Sequence, residues 1–127
     1  MSATPIIAIV DDDAAIRTAL SSLVRSMGYG ARLFASAEAF LADRPDTPPG
    51  CLVTDIQMPG MNGLDLQRAL RQRMPGLPVI VITAFPEDSV REQAMAAGAL
   101  HFLSKPFTAD TIARCLRDAV GSPSQPW

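Results

Sequence analysis

Val79-Ile80-Val81-Ile82 is apolar at every position and ends on the hydroxyl of Thr83. A strand with one wet face alternates apolar and polar residues. One that is apolar throughout is buried on both faces by helices, as in a parallel α/β sheet.

Similar short apolar runs stand on either side, at Ile6 to Val10, Ala31 to Phe34, Cys51 to Thr54 and Leu100 to Leu103. Helical patterns separate them. Ile16, Leu20, Leu23, Val24 and Met27 share one helical face, with Gly28 placed to end it. Ile112, Cys115, Leu116, Ala119 and Val120 repeat that spacing behind Thr108, an amino-terminal cap. Between them, Ser36 can cap a short helix carrying Phe40 and Leu41. Leu66, Leu70 and Met74 share a face, and an Ala-rich helix follows Pro86. Five strands alternating with five helices predict a doubly wound α/β sheet.

The chain has 127 residues, 48% of them hydrophobic, enough for one core and one domain. The domain is expected over residues 1–121. Helical period is lost after Val120, and 122–127, rich in Pro and Ser, has the composition of a linker or tail. Pro45 to Gly50 reads as a surface loop. Eleven basic against thirteen acidic residues give a net charge of −2. That balance lacks the basic stripe a nucleic-acid backbone requires. No apolar run approaches a membrane span, and Met1 to Val10 carries no basic region ahead of its apolar stretch, so a cytoplasmic chain is expected. Cys51 and Cys115 lie in apolar patterns and are expected as buried, reduced thiols.

Ligands of open α/β sheets bind beyond the carboxyl ends of the strands. The first strand runs into Asp11, Asp12 and Asp13, the third into Asp55, the fourth into Thr83, and the fifth through Ser104 into Lys105. Several carboxylates in one pocket repel one another unless a cation neutralises them or their pKa values rise. Oxygen donors without neighbouring His or Cys favour a hard ion, and Mg²⁺ fits better than Zn²⁺. Lys105 adds a compact positive charge and Thr83 a hydroxyl donor, the groups wanted around a transferring phosphoryl, with Asp55 as nucleophile. Taken singly, a strand-terminal Asp or Thr caps the next helix and a strand-terminal Lys is solvated. Only the conjunction of acid, acid, hydroxyl and Lys points to chemistry.

Four segments carry a resemblance: Ile9-Val10-Asp11-Asp12-Asp13, Val53 through Gly63, Val81-Ile82-Thr83-Ala84, and Phe102-Leu103-Ser104-Lys105-Pro106-Phe107. In order and spacing they resemble response-regulator receiver domains of bacterial two-component systems, over about residues 5 to 120. Ser36-Ala37-Glu38-Ala39-Phe40-Leu41 and the Ala-Gly-Ala stretch at 97 to 99 look most like the FixJ-type regulators.

The resemblance implies a flavodoxin-like (CheY-like) fold with strand order 2-1-3-4-5. It implies that Asp55 accepts a phosphoryl group from a sensor histidine kinase, and that Asp11, Asp12, Asp55 and the Gln57 backbone carbonyl hold Mg²⁺. Lys105 would contact the phosphoryl, with Asp13 outside the set. Thr83 and Phe102 match the two switch positions. The bond before Pro106 is expected to be cis, the isomer that only an X-Pro bond makes inexpensive. The face of the fourth helix, fifth strand and fifth helix would control a homodimer or an attached DNA-binding output domain. Gln57 and Phe85 occupy positions that tune phosphoryl lifetime, Phe85 by limiting water access. His101 is expected to face solvent or pack. The basic side given by Arg68, Arg71 and Arg73 fits a solvated helix or an acidic partner equally.

Two other readings use the same residues. One is an aspartyl-phosphate phosphatase acting on a small substrate, which the short strand-to-helix connections leave little room to build. The other is a phosphate-independent protein-binding module, which has no need of Asp12, Asp55, Thr83 and Lys105 together.

Overall fold

The structure is a computed structural model that describes residues 4–43 and 47–121. Its elements run β1 (Ile6–Val10), α1 (Ala14–Ser26), β2 (Gly30–Phe34), α2 (Ala37–Ala42), β3 (Cys51–Asp55), α3 (Gly63–Arg73), β4 (Val79–Thr83), α4 (Asp88–Ala96), β5 (His101–Ser104) and α5 (Ala109–Val120). The strands form one parallel sheet in the order β2-β1-β3-β4-β5. The expected tail at 122–127, and residues 45 and 46 of the expected loop, lie outside the described residues.

Period-two geometry divides the apolar strands between two half-cores. Ala8, Val10, Leu52, Val79 and Val81 pack with Phe40, Leu66, Leu70 and Ala94, so α2, α3 and α4 cover that face. The alternate residues Ile7, Ile9, Cys51, Val53, Ile80 and Ile82 pack with Leu20, Val24, Ile112 and Leu116 of α1 and α5. Burial from both sides explains why β3 and β4 carry no exposed position. β2, at the sheet edge, is only half-buried. Cys51 and Cys115 are free and buried in the second half-core.

Helix signals act where the sequence puts them. Ser36 and Thr108 accept from the backbone N–H three residues on, and Gly28 follows α1 with φ +92°. Four strands differ from the expected runs by a residue at one end or both, β2 by starting at Gly30. β3 and β4 extend through Asp55 and Thr83, because ladder pairing with Ile82 and Ser104 uses backbone groups whatever the side chain. β5 begins at His101, leaving Leu100 41% exposed. No helix among the described residues is long and apolar enough to cross a membrane.

Candidate functional site

Parallel strands finish at one edge of the sheet, so Asp11, Asp12, Asp55, Thr83 and Lys105 come together there although 94 residues separate Asp11 from Lys105. Carboxylate oxygens of Asp11, Asp12 and Asp55 lie within 4.8 Å of one another; Asp11 and Asp55 are buried and Asp12 is exposed. The Lys105 ammonium bridges the two buried acids, with Nζ 3.0 Å from Asp11 Oδ2 and 3.2 Å from Asp55 Oδ2. Asp13 turns away and caps α1 through Ala15 N–H.

Asp55 is held on both oxygens. Oδ1 accepts from Ile56 N–H at 2.7 Å and from Gln57 N–H at 3.3 Å, while Oδ2 meets Lys105. The backbone beneath it is braced by α3. Gly63 N–H donates to the Ile56 carbonyl at 3.1 Å, and a Cβ on Gly63 would strike the Asp55 carbonyl oxygen and lie 2.9 Å from Ile56 Cα. Only a residue without a side chain lets the helix start this close. Asn62 and Asp65 form a reciprocal capping box that fixes that start.

Burial pushes the Asp55 carboxyl above its ordinary pKa, and the neighbouring Asp11 charge adds to the rise; Lys105 and the Gln57 N–H oppose it without cancelling it. For Lys105, burial acts downward, but its hydrogen bond to Asp11 and the charges of Asp55 and Asp11 outweigh burial and raise its pKa. Three carboxylates against one ammonium leave the pocket short of positive charge. An all-oxygen donor set of this kind suits a hard divalent ion.

Thr83 is fully buried; its hydroxyl oxygen accepts from Phe85 N–H at 3.0 Å, and its carbonyl accepts from Lys105 N–H at 2.7 Å. The Lys105–Pro106 peptide bond is cis. Phe102 is half-buried against the first half-core. Phe85 is 58% exposed. Gln57 is exposed at the head of the β3–α3 loop. His101 does more than face solvent, since Nε2 lies 3.0 Å from Asp118 Oδ2 on α5. Of the α3 arginines, Arg68 pairs with Asp65 and Arg73 donates to the Leu41 carbonyl. Sequence reasoning did not single out Gly63, the Asn62–Asp65 box or Glu38, whose carboxylate reaches the β3–α3 loop at Met61. The Asn-x-x-Asp spacing was a readable cap signal; the contacts of Gly63 and Glu38 had none.

The family model for the response regulator receiver domain matches residues 7–117. The chain belongs to that family. This receiver domain is 43% identical over 115 residues to the response regulator protein TmoT of Ectopseudomonas mendocina, covering 91% of the chain and 52% of the relative. It is 36% identical over 112 residues to the transcriptional regulatory protein FixJ of Bradyrhizobium diazoefficiens, covering 88% and 55%. The chain thus spans about half the length of these curated relatives. The crystal structure of FixJ-N matches with a TM-score of 0.83 at 36% identity, covering 99% of both chains. A CheY-like receiver domain from Methanospirillum hungatei matches with a TM-score of 0.88 at 24% identity, a likeness of fold alone. A receiver domain is a signalling module of two-component systems, and the CheY-like strand order matches the expected one.

Proposed function

We propose that this receiver domain accepts a phosphoryl group on Asp55 from a sensor histidine kinase, with Mg²⁺ at the strand edge, and that the modified site switches an output surface. The observation that carries this reading is the Lys105 ammonium bridging Asp11 and Asp55 where three carboxylates converge.

Asp11, Asp12, Asp55 and the Gln57 carbonyl would hold the ion, which when bound neutralises the carboxylates and the incoming phosphoryl oxygens. The chain's own groups do the rest. Ile56 and Gln57 N–H groups fix the rotation of the Asp55 carboxylate, so one oxygen faces the donor. That oxygen forms the new bond to phosphorus as the phosphohistidine P–N bond breaks, and the imidazole leaves and takes its proton from solvent. Lys105 then balances charge on the phosphoryl group.

Switching follows from Thr83. Its hydroxyl oxygen accepts from Phe85 N–H and keeps its own proton to donate. A phosphoryl on Asp55 offers that proton an acceptor only in the active arrangement, which shifts the population toward it. Phe102, half-buried on β5, follows inward, and the α4–β5–α5 face reads the change out to a second copy or to an output domain carried by a longer chain. Residues 1–121 form the receiver unit of such a protein, in the cytoplasm. Catalysis is confined to the domain's own phosphorylation and dephosphorylation. Among the described residues, cavities of about 260 and 330 Å³ open beside Phe40 and beside Gln67, and neither is lined by Asp11, Asp12, Asp55 or Lys105.

The test is intact mass after incubation with acetyl phosphate and Mg²⁺, with and without chelator, for wild type and Asp55→Asn. One phosphoryl adduct that needs both metal and Asp55 is expected. No adduct under any condition, including with a cognate kinase, would leave a phosphate-independent binding module.

A further inference from the structure

The loop between β3 and α3 begins with Gln57, passes through Gly60 at φ +75° and enters α3 at Asn62. Near its head it is pinned by Asp55 Oδ1, and at its end by the capping box. Between these lies one hydrogen bond from a distant element. Glu38, in the first turn of α2, accepts from Met61 N–H through Oε2 at 2.9 Å, across 23 residues of sequence. The approach is close, since a Cβ on Gly60 would stand 2.5 Å from the same Oε2. The left-handed backbone requires glycine there. Met58 is buried in the half-core that also holds Phe40 of α2, so loop and helix share a floor as well as a tether.

We propose that Glu38 is a positioning residue for the cation site: its carboxylate straps the β3–α3 loop to α2 and thereby holds the Gln57 backbone carbonyl ready to bind the divalent ion. This rests on the reading that Asp11, Asp12, Asp55 and Gln57 form that site. A carbonyl ligand has no rotamer of its own, and its direction is set by the peptide planes around it. A loop containing glycine loses that direction when untied. Glu38 never touches the ion and acts through Met61 and the peptides that lead back to Gln57. The Met61 N–H also holds the Glu38 carboxyl below its ordinary pKa.

The test compares Glu38→Ala, Glu38→Gln and Ser36→Ala by Mg²⁺ titration calorimetry and by hydrogen exchange at the Met61 amide. Ser36→Ala removes the α2 cap, the bond to Ala39 N–H, without reaching the loop, and so reports on loss of α2 alone. Glu38→Ala should weaken Mg²⁺ about tenfold, the low end of outer-shell effects at metal sites, and should speed exchange at Met61. Glu38→Gln keeps an acceptor oxygen and should retain most of the affinity. Glu38→Ala with wild-type affinity, or Ser36→Ala weakening Mg²⁺ as much as Glu38→Ala, overturns the strap. Wild type that binds no Mg²⁺ overturns the site reading itself, a separate outcome.

Discussion

Replacing Gly63 by Ala tests how tightly α3 is seated under Asp55. Gly63 does not have positive φ, so the backbone accepts Ala and the penalty is one of space. The new Cβ would strike the Asp55 carbonyl oxygen and lie 2.9 Å from Ile56 Cα. Carbon atoms are comfortable at roughly 3.5–4.0 Å, so the start of α3 must retreat by about 1 Å. Overpacking of this kind costs about 1–3 kcal/mol, and loss of the Gly63 N–H to Ile56 carbonyl bond about 1 more. The better helix propensity of Ala returns about 0.5–1 kcal/mol. The net loss is then about 2 kcal/mol, a fall of about 8 °C in Tm for a domain of this size. Gly76→Ala is the internal control, because nothing lies within 4 Å of its Cβ position; it should change stability by less than about 1 kcal/mol, toward greater stability. Thermal and urea denaturation followed by circular dichroism read both variants. Acetyl phosphate labelling of Gly63→Ala should slow by about tenfold or more, since misplacement of about 1 Å is enough for that. A Gly63→Ala domain as stable as Gly76→Ala would refute the packing argument.

Further outcomes follow from the same geometry. Lys105→Met leaves Asp11 and Asp55 facing each other without a cation; stability at pH 7 should fall by about 2 kcal/mol and recover in part with Mg²⁺, and urea curves showing no Mg²⁺ dependence would contradict this. Phe85→Ala should shorten the lifetime of the phosphoryl group if the ring limits water access; an unchanged half-life removes that role. Burial pushes the Cys51 thiol from 9.0 up to about 12. Below pH 9 neither state ionises, and above it only the unfolded chain does, so stability declines as pH rises from about 9 toward 12. The loss reaches about 1.4 kcal/mol at pH 10. Cys51→Ala should be less sensitive to pH over that window, and an identical pH slope would show that the thiol ionises freely in the fold.

The parts of the fold legible in the sequence were those written in periods. Val79 to Ile82 announced burial on both faces, and the stripes of α1 and α5 matched the half-core that receives them. Site residues were legible because parallel strands end at one edge, so the polar groups just after the first, third, fourth and fifth runs were already neighbours. What escaped was contact at a distance without pattern. Gly63 carries its requirement in a missing side chain, and Glu38 meets Met61 only because α2 and the β3–α3 loop fold side by side. His101 pairs with Asp118 for the same reason, a register between β5 and α5 that no single-strand reading contains. Asp13 accepts from Ala15 N–H as the α1 cap, the role that a strand-terminal Asp ordinarily takes.

The most direct measurement is the position of the phosphoryl group on the chain. Acyl phosphates are reduced by borohydride to alcohols, whereas free carboxylates are not. The domain should therefore be labelled with acetyl phosphate and Mg²⁺, reduced, digested and sequenced by mass spectrometry. Conversion of Asp55 to homoserine in the labelled sample, and its absence when Mg²⁺ is chelated, is the predicted result. Reduction at Asp11 or Asp12 instead, or labelling that persists in Asp55→Asn, would contradict the assignment of Asp55 as the phosphoacceptor.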